Sequence, residues 1–365
     1  MERRNVNRDF WRGKRVLVTG HTGFKGAWLS LWLLEMGAQV IGYALPPYTE
    51  RDLFALCRLE DSMTDVRGDV LDAPLLESTL SQYRPEVVFH LAAQPLVRLS
   101  YREPKRTFET NVIGTLNLLE ALRRTDSVGS AVIVTSDKCY ENRNTPRPYR
   151  ESEPMGGYDP YSASKGCAEL LTASWRRSFF APGGSGDCRT AVASARAGNV
   201  VGGGDWSADR LVPDCIRALE AGEPIGLRNP GAVRPWQFVL EPLAGYLMLA
   251  EDLWSAPETC CEGWNFGPDP EQMATVGMVA ERLAGLYGGG RVVCAGEAQA
   301  PHEAAILLLD SSKAKERLGW FPRLSLEETL RFTAEWYRDY RKGAGEICRS
   351  QIAAFERRTQ VEGDL

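Results

Sequence analysis

At 365 residues, with 44% apolar and 25% charged residues and a formal charge of −5, the chain has the composition of an ordinary folded protein: two domains, or one large α/β domain with an appendage. No basic stripe points to nucleic acid, no run of about 18 apolar residues points to a membrane span, and residues 1–5 carry no apolar stretch of the signal-peptide kind. Nine cysteines without metal-ligand spacing, Cys260 and Cys261 among them adjacent, read as reduced thiols of a cytoplasmic enzyme without a metal.

Arg15-Val16-Leu17-Val18-Thr19 predicts a buried strand that runs into a glycine turn, Gly20-His21-Thr22-Gly23-Phe24-Lys25-Gly26, with GxxGxxG spacing. Such glycines permit a tight turn and let the backbone approach a pyrophosphate. The following segment, 27–37, is apolar enough for a buried helix, whose first N–H groups and positive dipole end suit phosphate. With Gln39-Val40-Ile41-Gly42-Tyr43 as the next strand, a βαβ unit for a dinucleotide results. No Asp or Glu ends that strand to mark NAD, and no Arg to mark NADP; Lys25 and Arg51 are the nearest cations.

Further strands are expected near 63–67, 86–91, 130–135 and 190–195, with amphipathic helical stretches at 75–80 and 112–122. This alternation predicts an α/β fold, a Rossmann-like doubly wound parallel sheet covered on both faces. From about Gly202 the pattern loosens into Gly/Pro-punctuated segments. The expected division is a dinucleotide-binding domain at 1–200, a smaller C-terminal substrate-binding portion at 201–345 from which the chain crosses back, and a charged tail at 346–365. Residues 181–188 read as a surface loop, and the lone His302 as part of a substrate loop rather than a catalyst.

Two strings carry the chemistry. Tyr161-Ser162-Ala163-Ser164-Lys165 puts a phenol and an ammonium four residues apart on one helix face, so the Lys charge favours the phenolate and brings its pKa toward neutrality. A phenol tuned in that way takes a proton from a sugar hydroxyl. Upstream, Thr135-Ser136-Asp137-Lys138-Cys139-Tyr140 follows an apolar strand. Taken singly, the first string also describes a solvated helix surface, and the second a polar loop with a surface ion pair.

TGxxGxxG, Gly68-Asp69-Val70, His90-Leu91-Ala92-Ala93-Gln94, Asn111, Thr135-Ser136-Asp137 and YxxxK follow one another across residues 14 to about 340. In that order and spacing they resemble the extended short-chain dehydrogenase/reductase superfamily. Within it, Gly20 to Gly26, Ala93-Gln94-Pro95-Leu96-Val97-Arg98, Ser136 to Tyr140, Arg196-Ala197-Gly198-Asn199-Val200 and Arg234-Pro235-Trp236-Gln237 resemble the nucleotide-sugar 4,6-dehydratases, in the CDP-glucose branch. Related hexose-nucleotide dehydratases carry Asp-Glu where this chain carries Asp137-Lys138, which changes the residue available as base.

The resemblance implies a lyase that turns CDP-glucose into CDP-4-keto-6-deoxyglucose by C4 oxidation, loss of water across C5 and C6, and reduction at C6, with NAD oxidised again at the end. Tyr161, Lys165 and Ser136 would serve the oxidation, Asp137 would be the elimination acid and Lys138 the base. Gly20, Gly23, Phe24, Lys25, Gly26, Asp69, Val70, Ala92, Ala93, Gln94 and Asn111, with Tyr161 and Lys165, would surround the cofactor. Asp69 could instead cap a helix, and Ala92-Ala93 could be close packing. Arg98, Asn199, Arg210, Arg228 and Arg234 are the expected contacts of the nucleotide sugar, a guanidinium fork suiting phosphate oxygens, although each arginine could equally be a surface residue. A homodimer or homotetramer pairing through 112–122 and 166–180 is implied, with no nucleic-acid or membrane partner. Another nucleotide-hexose dehydratase, a 4-epimerase, or a dinucleotide-binding protein without catalysis are the alternatives.

Overall fold

The computed structural model describes residues 3–180, 189–295 and 306–358; the expected loop at 181–188, His302 and the end of the chain lie outside them. Seven parallel strands form the main sheet: β1 (Arg15–Thr19), β2 (Gln39–Ala44), β3 (Thr64–Arg67), β4 (Val87–His90), β5 (Ser130–Val134), β6 (Ala191–Arg196) and β7 (Gly263–Asn265). Their spatial order is β7-β6-β5-β4-β1-β2-β3. β1 pairs with β2 on one side and β4 on the other, so the order reverses at the carboxyl ends of β1 and β4. That crevice is where a doubly wound sheet receives its ligand.

Near-continuous burial along the central strands follows from cover on both faces. Alternate residues point to opposite cores: Val16, Val18, Phe89, Val132 and Val134 enter a large cluster with Trp28, Trp32, Trp264 and Trp336, while Leu17, Val88, Ala131 and Ile133 enter a smaller one with Tyr43, Leu118 and Leu122. The helices that matter for the site are α1 (Phe24–Glu35), α2 (Ala73–Tyr83), α3 (Gly114–Arg123), α4 (Pro160–Phe179), α5 (Leu240–Ser255), α6 (Leu326–Asp339) and α7 (Ala344–Arg357). α4 starts sharply because the Asp159 carboxylate accepts from Ser162 N at 2.9 Å and Pro160 occupies the first turn. This start fixes the register of Tyr161 and Lys165.

β7 comes from well past residue 200, and its pairing with β6 returns the chain to the main sheet. The three-residue strand is too short to stand out by periodicity. Residues 346–357, assigned above to a charged tail, instead belong to α7, whose Cys348, Ile352 and Phe355 are buried against α6 and α1. Charged residues dominate the composition there, but the apolar ones recur at helical spacing and pack. Three two-stranded pairs complete the C-terminal half: Val200–Val201 with Gln237–Phe238, Ile225–Leu227 with Val292–Cys294, and Val233–Pro235 with Met273–Thr275. Among the described residues no helix is long and apolar enough to cross a membrane, and no group of His, Cys, Asp and Glu is arranged to hold a metal ion.

Candidate active site

The turn after β1 is shaped for an anion. Gly20 sits at φ +74°, and a Cβ there would lie 2.7 Å from the Ala92 nitrogen, while one on Gly26 would collide with the Gly20 carbonyl. α1 therefore begins hard against the turn, and its N-cap, Gly23, has no side chain to satisfy the first N–H groups. Lys25, in the first turn, makes no hydrogen bond or ion pair with the described residues, and its ammonium lies 5.8 Å from the centroid of the Tyr246 ring. Burial, with the charges of Arg210 and Lys165, brings its pKa down to about 7 against the opposing pull of Asp137. Free N–H groups, a dipole end and an unpaired ammonium fit the diphosphate of a dinucleotide.

Further along the crevice several expected cofactor residues are committed to the protein itself. Asn111 accepts from Gln94 N (2.8 Å) and donates to Gln94 O (3.1 Å) and Ser164 Oγ (2.8 Å). The Gln94 side chain is spent on Leu96 and Thr107. Both amides thus build the turn after β4 and tie it to α4; neither has a polar side-chain atom left for a ligand. Val70 is buried with its carbonyl taken by Asn117, whereas Asp69 closes an ion pair with Arg106 at 2.5 Å and accepts from Leu71 N. Ala92 N donates to Thr19 Oγ1, and Ala93 stays half-buried at the crevice rim.

The acid missing from the end of β2 has a counterpart on β3. Asp65, in register with Gly42, accepts from His21 Nε2 at 2.9 Å and from Arg67 at 2.6 Å. Burial lowers the His21 pKa, the Asp65 carboxylate opposing it. Sequence reasoning passed over this cluster because its members lie on a turn and a neighbouring strand; His21 inside the glycine turn was the only local signal. Arg51, the other cation considered there, is bound to Glu220 and lies over the Trp206 ring at 3.5 Å from its centroid.

The turn expected to carry the chemistry follows β5 as a 3-10 segment, Asp137–Cys139. Ser136 Oγ donates to Asp137 Oδ1 (2.9 Å) and accepts from Lys138 N (3.2 Å). The carboxylate lies over Gly198, where any side chain would strike it. Tyr161 faces Ser136, and burial pushes its phenol up to about 12 although the Ser136 hydrogen bond and Arg210 pull the other way. The expected drop toward neutrality is therefore absent from the protein alone. Lys165 reaches toward the Val134 carbonyl (3.5 Å) and is itself brought down to about 8 by burial, so one desolvated ammonium does not outweigh the cost of a phenolate in a dry site. Lys138 is half-buried, with its ammonium bound to none of the described residues.

Behind this turn a polar network holds it to α4. Glu169, one helical turn beyond Lys165, takes Thr135 Oγ1 (2.5 Å), Ser194 Oγ (2.7 Å) and Arg196 Nη2 (2.7 Å). Arg196 Nη1 continues to Tyr140 Oη (2.6 Å), which donates to Asn265 on β7 (2.7 Å). Glu169 was not picked out from the sequence, although Tyr161, Lys165 and Glu169 share one helix face, and Arg196 was quoted only as the start of a resembling string, with no role. Tyr246 of α5 was missed as well: its hydroxyl is fully buried and finds no hydrogen-bond partner among the described residues, and the charges of Asp137 and Tyr161 bear on it.

Of the residues expected on the nucleotide sugar, Arg98, Arg210 and Arg228 come together around the loop 202–210. Asn199, at φ +47°, has an amide nitrogen that is buried and finds no partner among the described residues. Arg210 pairs with Asp205 (2.9 Å), and Arg228 with Asp209 (3.1 Å), toward which Arg98 also turns its Nε (3.8 Å). Arg234 donates to its neighbour's carbonyl, Val233 O, at 2.9 Å.

Comparison with known proteins identifies the family. Residues 17–260 match the family model described as GDP-mannose 4,6 dehydratase. The chain is 50% identical to CDP-glucose 4,6-dehydratase of Salmonella typhimurium over 338 residues, which covers 93% of this chain and 94% of the relative. It is 30% identical to dTDP-glucose 4,6-dehydratase of Streptomyces antibioticus, covering 89% and 93%. Among solved structures, dTDP-glucose 4,6-dehydratase of Streptomyces venezuelae with NAD bound superposes with a TM-score of 0.76 at 25% identity, covering 91% of this chain and 99% of that one. UDP-glucose 4-epimerase of Thermotoga maritima with UDP-glucose gives 0.73 at 26%, covering 89% and 99%. The chain belongs to the nucleotide-sugar dehydratase family that this model describes, within the extended short-chain dehydrogenase/reductases.

Proposed function

We propose that this protein is a hydro-lyase that converts CDP-glucose into CDP-4-keto-6-deoxyglucose and water, using NAD that ends each cycle oxidised. The observation that carries the reading is the placement of Asp137: a carboxyl held by Ser136 over Gly198, beside the Tyr161 phenol, puts an acid next to the group that oxidises the sugar. The choice of CDP among nucleotides is supported by the 50% identity with the Salmonella enzyme.

NAD, when bound, supplies the hydride acceptor for C4 and the hydride returned to C6. The residues that would hold it are the turn Gly20, Gly23, Phe24 and Gly26 with Lys25, the backbone at Ala92 and Ala93, and Asp69 at the far end of the crevice. Tyr161 takes the C4 hydroxyl proton, Ser136 bonds the same oxygen, and Lys165, charged below its pKa of about 8, offsets the phenolate. Oxidation makes the C5 proton acidic. Lys138 removes it while Asp137 protonates the departing C6 hydroxyl, so water leaves and a proton later returns to C5. Asn199, Arg98, Arg210, Arg228 and Arg234 bind the nucleotide diphosphate. The protein works in the cytoplasm as a homodimer or homotetramer, a reading supported by the exposed Ile113 and Leu170 on the two segments expected to pair.

Purified protein is incubated with catalytic NAD and either CDP-glucose or dTDP-glucose, and loss of one water is followed by mass spectrometry. Turnover of CDP-glucose without accumulation of reduced cofactor is the expected result; no water loss from either sugar sinks the assignment. A 4-epimerase is the second reading, given the UDP-glucose 4-epimerase among the structural relatives. Inverting C4 needs no elimination acid, so Asp137→Asn separates the two: water loss falls by about 10²-fold in a dehydratase, whereas an epimerase is largely indifferent.

A further inference from the structure

The loop 202–210 contains two aspartates that hold arginines in different ways. Asp205 is built into the fold: it is buried, its carboxylate takes Arg210 (2.9 Å) and Ser207 N (3.0 Å), and its carbonyl takes the Tyr337 hydroxyl. Trp206 beside it is clamped between Arg51 and the rings of Tyr337 and Tyr340. Asp209 has no such anchorage. It sits at φ +61°, its side chain is 34% exposed, and among the described residues its carboxylate accepts from Arg228 Nη1 at 3.1 Å and has Arg98 Nε at the longer ion-pair distance of 3.8 Å.

Those two arginines come from segments far apart in sequence, the short helix Val97–Arg102 and the residue after the strand Ile225–Leu227. Two guanidiniums that converge without an anion between them repel each other. Both are also the side chains placed above on the substrate diphosphate. A diphosphate carries more charge and more acceptor oxygens than one carboxylate, so it outcompetes Asp209 for these guanidiniums, of which only Arg228 donates a hydrogen bond to the aspartate. We infer that Asp209 is an internal stand-in for the substrate diphosphate: its carboxylate offsets the charge of Arg228 and Arg98 and yields these guanidiniums to the diphosphate as that binds.

This rests on the nucleotide-sugar reading, and the test separates the two. Binding of CDP and of inorganic pyrophosphate to the purified holoenzyme is measured by titration calorimetry at low and moderate salt, for the native protein, Asp209→Asn and Asp209→Glu. Removing the competing charge is expected to tighten both ligands about three- to fivefold in Asp209→Asn, most at low salt, while Asp209→Glu stays near the native value. Arg228→Ala should erase the gain from Asp209→Asn. Unchanged or weaker binding in Asp209→Asn overturns the inference and makes Asp209 a residue that merely orients the arginines. Should native protein ignore CDP while Asp209→Asn still tightens pyrophosphate, the nucleotide-sugar reading falls and the stand-in survives. If neither ligand binds either form, both fall.

Discussion

Glu169–Arg196 and Asp209–Arg228 join the same two functional groups at 2.7 and 3.1 Å, yet they are built for opposite purposes. In the first, the side chains are 3% and 6% exposed, and the carboxylate is also met by Thr135 and Ser194. In the second they are 34% and 32% exposed, and among the described residues the aspartate meets its arginines alone. Burial makes an ion pair costly to break once formed, because the abandoned charge has no water to turn to. Exposure leaves it exchangeable, since solvent or a better anion replaces either partner at little cost. One pair can therefore serve as scaffold for the turn after β5 and the other as a site that changes partners.

Four measurements sharpen that contrast. The largest effect is expected from Arg196→Met, which strands the Glu169 carboxylate in the core and should cost about 3–5 kcal/mol in urea unfolding. Lys165 comes next. Its folded pKa of about 8 lies below the ordinary lysine value of 10.5, so between those values the unfolded chain binds more protons and stability rises with pH. Lys165→Met should flatten that rise and gain up to about 3 kcal/mol near neutrality, read from unfolding curves across pH 7 to 11. Tyr161→Phe keeps the packing but removes the proton acceptor; the fold should survive while C4 oxidation, followed by cofactor absorbance with CDP-glucose, drops at least about 10²-fold. Smallest is the loss from Asp209→Asn, within about 1 kcal/mol of native stability and vanishing in high salt. A larger stability loss there would mean that the outer cluster is scaffold too, and the contrast would collapse.

Glu169 carries its own pH signature on the buried side. Desolvation raises its pKa, but Arg196, Thr135 and Ser194 more than offset this and leave it depressed. A depressed carboxylate contributes stability above its unfolded pKa and loses it as pH falls through the folded value, so acid should loosen the turn after β5 through this pair.

Much of the molecule was legible in the chain because the relevant patterns are local. The six strands from 15–19 to 191–196, the glycine turn and the register of Tyr161 with Lys165 depend on residues within a few positions of one another. Tertiary structure alone decided the rest. Lys25, Asp137, Tyr161, Arg210 and Tyr246 meet across more than 200 residues of sequence, a distance at which no periodicity survives. Asn111 and Gln94, each a plausible ligand by residue type, turned out to bond each other because of the turn geometry after β4. The phenol of Tyr161 rose instead of falling, since its pKa is set by the desolvation of the whole pocket and by where the Lys165 ammonium ends up, and neither follows from a spacing of four. Sequence determined which groups were available for the chemistry; packing determined which of them were left with unspent hydrogen bonds and charge, because only the folded chain settles who is satisfied by whom.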